Sequence, residues 1–376
     1  MNVLHAYSGN MFGGVETMLI TLARQQRASL GVGHQFALCH EGRLAEELRA
    51  AGAQVHALDP ARFSRPWTVL KARQRFRRLL ANRRPDVIIC HGCWSHDVFA
   101  PVARREGLPL VFWAHDTPEG THWVERLAMR TPPDLALVNS QFTAGRLDRL
   151  FPGVPHEVCF YPVAPQGEVG ALTRVQTRRD LGTANGSVVV IQVSRLERWK
   201  GHAVLIDALG RLRDRPGWTA WIAGGAQRPS EALYLDELRA AARHAGIADR
   251  VRFLGQRTDV PRLLAAADLF CQPNTGPEPF GIVFVEALYA GLPVVTTDLG
   301  GAVEIVNDAC GVVVQSGDPA ALAGALASLI DNPETRARLG ETGPARARDL
   351  CDPEMVWNRL HDLLAKWITA KTGVCS

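Results

Sequence analysis

Short apolar runs recur along the chain, separated by longer segments in which apolar residues return every three or four positions. The runs at 3–7, 34–39, 55–58, 86–90, 110–114, 135–139 and 156–160 predict strands. Amphipathic patterns at 15–28, 44–51, 68–81 and 142–150 predict helices between them. Several of these strands are nearly all apolar, which predicts a parallel sheet covered on both faces. At 162–187 the periodicity fades and Pro, Gly, Gln and Thr gather, so 163–171 is expected to link two domains. A second series follows, with strands at 187–193, 219–223, 251–254, 269–272, 293–296 and 311–314. Its helices are expected at 203–212, 231–245, 260–266, 280–290 and 319–329. The last pattern, 353–368, gathers Met355, Val356, Leu360, Leu363, Leu364 and Trp367 on one face. The expected architecture is α/β: two doubly wound domains in tandem, 1–165 and 166–352, then a helix at 353–376 packing back toward the first. Open sheets of this kind bind ligands at the carboxyl ends of their strands, so two facing domains would place a site in the cleft between them.

Composition narrows the function without naming it. A chain of 376 residues exceeds what one core usually supports, and 47% apolar with 21% charged residues excludes dominant disorder. A net charge of +4 is too mild to imply a nucleic-acid partner, and none is expected. The first residues enter a strand-like run with no basic and apolar leader, and no charge-free stretch reaches the roughly 18–20 residues of a membrane span. The expectation is a cytoplasmic protein, soluble or lying on the inner face of the membrane.

Eight scattered cysteines read as reduced thiols in apolar segments. Cys90-His91-Gly92-Cys93, with His96 nearby, lacks the second ligand pair of a zinc site; a strand end entering a loop is expected there. Neither a dinucleotide GxGxxG nor a P-loop opens either series, and no Asp-X-Asp triplet occurs. No metal and no cofactor are expected.

Three stretches carry candidate chemistry. Ser194-Arg195-Leu196-Glu197-Arg198-Trp199-Lys200-Gly201 follows the first strand of the second series. There Arg195 and Lys200 could bracket an anion, although a solvated basic turn is the competing reading. Glu278-Pro279-Phe280-Gly281-Ile282-Val283 leads into a helix expected from about Phe280, whose first amides and dipole favour an anion. Glu278 just ahead of that end and Glu286 eight residues later suit hydroxyl groups on either side of a diphosphate.

Arg-x4-Lys-Gly followed by Glu-x7-Glu, with Glu278-Pro279-Phe280-Gly281 inside it, resembles the retaining nucleotide-sugar glycosyltransferases of family 4, which have the GT-B fold. Ile222-Ala223-Gly224-Gly225, Phe253-Leu254-Gly255 and Ala290-Gly291-Leu292-Pro293 agree in order and spacing; Ser194 departs from the family's usual Gly. The resemblance implies that Arg195 and Lys200 bind the diphosphate, Glu286 the ribose hydroxyls and Glu278 a hydroxyl of the donor sugar. The amides of Phe280, Gly281 and Ile282 would face sugar and phosphate, and the strand end from Leu254 to Arg257 the nucleobase. In the first domain it implies that the loop with Gly13 and Gly14 faces the donor, with Glu16 capping the following helix. His115, with Asp116 as an orienting neighbour, would lie beside the donor sugar; His91 and His96 are either acceptor contacts or structural.

A retaining, metal-independent sugar transfer follows, from a nucleoside-diphosphate sugar (UDP-sugar by family prevalence) to a saccharide or lipid-linked saccharide. The pathway class would be envelope or exopolysaccharide synthesis. A small soluble glycoside as product, and a non-catalytic nucleotide-sugar or glycan binder, are the alternatives.

The third stretch runs from Arg62 to Arg84, through Lys71, Arg73, Arg75, Arg77 and Arg78, without one acidic residue. With Phe63, Trp67 and Phe76 interleaved it is a candidate for an anionic membrane surface, against the reading of a solvated arginine-rich helix.

Overall fold

The apolar runs pair into two separate sheets, each wholly parallel. The computed structural model describes residues 1–9, 13–26, 33–165, 167, 170–226 and 228–372, side chains 371 and 372 excepted. Asn10, Met11 and Phe12, the expected helix end at 27–28, part of the 163–171 linker and Cys375 lie outside the described residues. The chain divides into one unit of Met1–Ala164 with the segment from Cys351 onward, and a second of Pro165–Leu350.

The first unit contains β1 (Asn2–Tyr7), α1 (Gly14–Gln25), β2 (Gly33–Leu38), α2 (Arg43–Ala50), β3 (Gln54–Ala57), α3 (Pro66–Arg83) and β4 (Val87–His91). It continues with α4 (Gly92–Arg105), β5 (Leu110–Ala114), α5 (Trp123–Ala128), β6 (Leu135–Val138), α6 (Gln141–Ala144) and β7 (His156–Val158). Strand order is β3-β2-β1-β4-β5-β6-β7, so the winding reverses between β1 and β4. β4 and β5 are buried along their whole length because helices cover both faces. Phe76 of α3 and Phe99 of α4 pack with ring centroids 4.7 Å apart, anchoring those helices to the sheet. Phe76 is therefore core and not part of a surface stripe.

The second unit contains α7 (Ala171–Asp180), β8 (Val188–Val193), α8 (His202–Arg211), β9 (Trp218–Ala223), α9 (Pro229–His244), β10 (Val251–Gly255) and α10 (Val260–Ala266). Then come β11 (Leu269–Gln272), α11 (Ile282–Tyr289), β12 (Val294–Thr297), α12 (Ala302–Ile305), β13 (Gly311–Val314), α13 (Pro319–Asp331) and α14 (Pro333–Cys351). Order β10-β9-β8-β11-β12-β13 puts the reversal between β8 and β11. The last helix, α15 (Pro353–Thr372), belongs to the first unit, where its Trp357 ring lies 4.5 Å from that of His34.

Several expectations need correction. Gly92 begins α4 directly after β4, so no loop follows Cys90; burial pushes the thiols of Cys90 and Cys93 up, away from the reactive thiolate. The helix expected at 142–150 is a four-residue α6 and a separate 3-10 turn, Leu147–Arg149. Residues 171–180, part of the aperiodic stretch, form α7. Arg174 and Arg178 reach from it to the last carbonyls of α10 and both grip Asp268, which also accepts the Val189 amide. Arginine capping thus docks a helix whose Leu172 and Val175 are exposed.

Candidate active site

In the central strands of the second unit, β8, β11 and β12, polar residues occur near the carboxyl ends. Gln192 is the penultimate residue of β8, Gln272 closes β11, and Thr296 and Thr297 close β12; all four are buried. The Gln192 amide donates to the Lys200 carbonyl at 2.8 Å, which holds the turn after β8 over the strand end. Thr275 in the loop after β11 donates its amide to the Trp199 carbonyl at 2.8 Å. The two loops flanking the sheet's switch point are therefore one assembly, at the place where open α/β sheets bind ligands.

Glycine makes the close approach feasible. Gly201 has φ +76°, and a Cβ there would lie 1.7 Å from the Pro273 carbonyl oxygen. At Gly281, φ +91°, a Cβ would lie 2.4 Å from the Phe284 ring and 3.1 Å from Glu278 Cγ.

This assembly brings Lys200 and Glu278 together as a buried ion pair and hydrogen bond. The ammonium also sits 3.9 Å from the centroid of the Trp199 ring. Glu278 is held through its backbone too: its carbonyl accepts the Gly301 amide at 2.7 Å, and it bridges to Gly300 in the loop after β12. Sequence reasoning missed Gly300 and Gly301, whose signal was a Gly pair in the short loop after a strand.

Helix α11 starts at Ile282, two residues later than expected. Gly281 is its left-handed cap, Phe280 is a buried anchor, and the Phe284 amide already bonds the Gly281 carbonyl. The amides of Ile282 and Val283 then head the helix without intrahelical acceptors. Glu286 lies on the second turn of α11, its carboxyl pushed up to about 7 by burial.

Other candidates are engaged locally. Arg195 lies 3.1 Å from Glu197, while Arg198 is turned away onto Glu237 and the Tyr234 ring. Arg257 forms a two-toothed pair with Asp259 at 2.8 and 2.7 Å, beyond the half-buried Leu254 at the end of β10. Ser194 Oγ lies 3.0 Å from His202 Nε2, so the departure from glycine there is tied into α8.

In the first unit, exposed Gly13 and Gly14 open α1 after β1. Glu16 accepts the Gly13 amide at 2.8 Å and the Tyr7 hydroxyl at 2.6 Å, a capping role. His115 is buried between Tyr161, 2.5 Å from its Nδ1, and His91, 2.9 Å from its Nε2. Burial pulls it down to about 3, so it is neutral near pH 7. Asp116 is exposed, and His91 and His96 are fully buried. Among the described residues no group of three His, Cys, Asp or Glu is arranged to hold a metal ion.

The stripe on α3 is partly consumed. Lys71 and Arg75 pair with Asp59, Arg77 pairs with Glu106, and Arg73 turns inward to the carbonyls of Asp97 and Val98. Trp67 and Leu70 remain 66% and 63% exposed, and Arg62, Arg65, Arg78, Arg83 and Arg84 have no carboxylate partner among the described residues. No helix among the described residues is long and apolar enough to cross a membrane.

Comparison with known proteins decides the family. The family model of glycosyl transferases group 1 matches residues 174–346, and that of glycosyltransferase family 4 matches 12–160. A lipopolysaccharide core biosynthesis mannosyltransferase of Rhizobium meliloti is 30% identical over 246 residues, covering 64% of this chain and 68% of that protein. The glycogen synthase of Mycobacterium tuberculosis is 31% identical over 327 residues, 81% of this chain and 74% of its own. The chain belongs to the group 1, family 4 glycosyltransferases.

Among solved structures, Anabaena HepE in complex with UDP superposes on this glycosyltransferase with a TM-score of 0.85 at 27% identity, covering 97% of this chain and all of the other. HepE has also been solved with UDP-glucose. The fold is GT-B. Alignment with the D-inositol 3-phosphate glycosyltransferase of Corynebacterium glutamicum, 36% identical, spans only 46% of this chain and 42% of that protein.

Proposed function

We propose that this glycosyltransferase moves a sugar from a nucleoside-diphosphate donor, UDP-sugar by default, to a hydroxyl of a saccharide or lipid-linked saccharide. Transfer retains the anomeric configuration and needs no metal. The buried Lys200–Glu278 pair at the second sheet's switch point carries this reading. A carboxylate placed at a cation and helix N-terminus that receive a diphosphate would repel that diphosphate, unless it serves a neutral group that needs an acceptor, and a sugar hydroxyl is such a group.

Arg195 and Lys200 hold the diphosphate, with the amides of Gly281, Ile282 and Phe280 toward phosphate and sugar. Glu286 takes the ribose hydroxyls, and Leu254 with Arg257 edges the base. Breaking the bond between the anomeric carbon and the phosphate oxygen leaves negative charge on the departing diphosphate. Fixed cations and amides stabilise that charge without reorganising. The acceptor oxygen attacks from the same face, and its proton passes to the leaving phosphate oxygen. The UDP and UDP-glucose complexes of HepE support the donor class. The lipopolysaccharide mannosyltransferase supports the envelope assignment.

A panel of nucleotide sugars with candidate acceptors tests this. Product from one donor, with its anomeric configuration kept by NMR and formed equally in a chelator, is expected. Inversion, or loss of activity in the chelator, overturns the corresponding clause.

The exposed Trp67 and Leu70 beside unpaired arginines support docking on an anionic membrane by the first unit. Flotation with anionic vesicles should carry the wild type, and Trp67→Ser with Leu70→Ser should not float. A wild type that ignores such vesicles removes that docking.

A further inference from the structure

Four inward positions in the apolar strands of the first sheet, or immediately after one, are histidines, and their rings join into one line. His34 Nδ1 lies 2.7 Å from His5 Nε2, His5 Nδ1 lies 2.7 Å from His91 Nε2, and His91 Nδ1 lies 2.9 Å from His115 Nε2. At one end His34 Nε2 lies 2.7 Å from His361 Nε2 on α15; at the other His115 Nδ1 meets the Tyr161 hydroxyl. The register explains the line. Val3 pairs with His34, His5 with Ile89, and His91 with Trp113, so each histidine stands two residues beyond its neighbour's level on the same face. The rings of His91 and His115 are 6° from parallel.

A neutral imidazole donates from one nitrogen and accepts at the other, so a closed line of this kind has one of two polarities throughout. Its ends choose between them. At the near end the His361 ring faces the Trp357 carbonyl, which accepts only, and with Nε2 turned to His34 the polarity that suits this end puts the proton on Nδ1 and leaves His361 Nε2 to accept. His34, His5, His91 and His115 must then each donate from Nε2. At the far end the Tyr161 oxygen accepts from Asn139 at 3.1 Å, and a Tyr161 hydroxyl that donates to His115 Nδ1 completes the same polarity. Both ends agree.

We propose that His91, His5, His34 and His361 are positioning residues for His115: one single-polarity line of hydrogen bonds, anchored on α15, that fixes its proton on Nε2 and its ring plane. This rests on the proposed sugar transfer and on His115 lying beside the donor sugar, as the family resemblance implies. It assigns His115 the part of an oriented neutral wall and excludes it as the base, because neither ring nitrogen is open. Burial keeps His34, His5 and His91 uncharged, as a line of donors and acceptors requires. The charged and titratable groups facing it are the chain's amino terminus and Asp362 near His361, and Glu16 and Asp116 around Tyr7 and Tyr161.

The test uses the full chain with 15N-labelled histidine and two-bond proton–nitrogen correlation spectra, which report the tautomer of each ring. Wild type should show His5, His34, His91 and His115 protonated on Nε2 and His361 on Nδ1. His361→Gln still offers His34 an acceptor, so the four tautomers and the transfer rate should survive. His361→Lys offers only a donor: the four should move to Nδ1–H, and kcat should fall by about tenfold or more with donor KM little changed. Tyr161→Phe, leaving the His361 end intact, should keep the wild-type tautomers.

Mixed tautomers in the wild type, or no change in His361→Lys, would overturn the line. Reversed tautomers with unaltered kcat would overturn the positioning role. If the tautomers behave as expected but no donor is turned over, the proposed function fails and the line stands.

Discussion

At the switch point of the second sheet, the loops after β8 and β11 join opposite charges, Lys200 and Glu278. At the corresponding point of the first sheet, β1 and β4 present uncharged rings, His5 and His91. The topology is the same, yet the two places are finished differently. Around the charged pair Gln192 Oε1, Gln272 Oε1 and Asn274 Nδ2 are buried with no partner, so bonding capacity is left over. From His34 to His115 every ring nitrogen in the line is used. Buried polar groups are normally satisfied, so a surplus calls for a reason, and at the carboxyl ends of strands flanking a switch point a ligand supplies one. Both switch points supply a place; the charged pair and the unmet bonding capacity beside it distinguish the second.

Breaking the charged side should cost most. Lys200→Ala should lower turnover by about 10²–10³-fold, in line with the loss of one preorganised donor. It should also destabilise by roughly 3–5 kcal/mol, because Glu278 is left buried and uncompensated. Replacing both, Lys200→Met with Glu278→Gln, should restore most of the stability in a denaturant titration and none of the turnover. Recovery of both would make the pair structural only.

The close approach beneath the pair is nearly as sensitive. Gly201→Ala, with its Cβ 1.7 Å from the Pro273 oxygen, should cost about 3 kcal/mol in the same titration. A variant as stable as wild type would show that the two loops are not locked together.

Glu286 sharpens the contrast through pH. Its carboxyl is raised to about 7 from 4.5, so between those values the folded chain binds more protons than the unfolded one. Stability should fall as pH rises from about 4.5 and level off above 7. Glu286→Gln should remove that slope, gaining about 2 kcal/mol at alkaline pH after allowance for partial exposure. UDP binding followed by calorimetry should strengthen through neutrality in wild type and stay flat in the variant.

The smallest effect lies far from either switch point. Asp318 caps α13 by accepting the Ala320 and Ala321 amides, both at 2.9 Å. Asp318→Ala should lower stability by about 1 kcal/mol and leave turnover unchanged.

Strands were legible because burial on both faces writes them as apolar runs. Helices held by other means were not. The docking of α7 is done by arginines, and α4 begins at Gly92 with no side-chain cap and contains Pro101. α14 approaches α11 through Gly340 and Gly343, where a Cβ would meet the Gly291 or Leu288 carbonyl oxygen. Such residues register as gaps in a hydrophobic pattern.

At the site, the two basic and acidic motifs and their spacing could be read, since they lie on single loops. The Lys200–Glu278 pairing could not, because it joins residues 78 apart. The histidine line was equally hidden: it spans four strands and α15, and singly each ring reads as an ordinary buried histidine.

The central claim is that sugar transfer occurs at the second sheet's switch point and depends on its charged pair. Release of nucleoside diphosphate from a panel of nucleotide sugars, compared among wild type, Lys200→Ala and Glu278→Ala, tests it most directly. The account predicts release by the wild type from one donor and release lowered at least about 10²-fold in either variant. Release by both variants at the wild-type rate would contradict it.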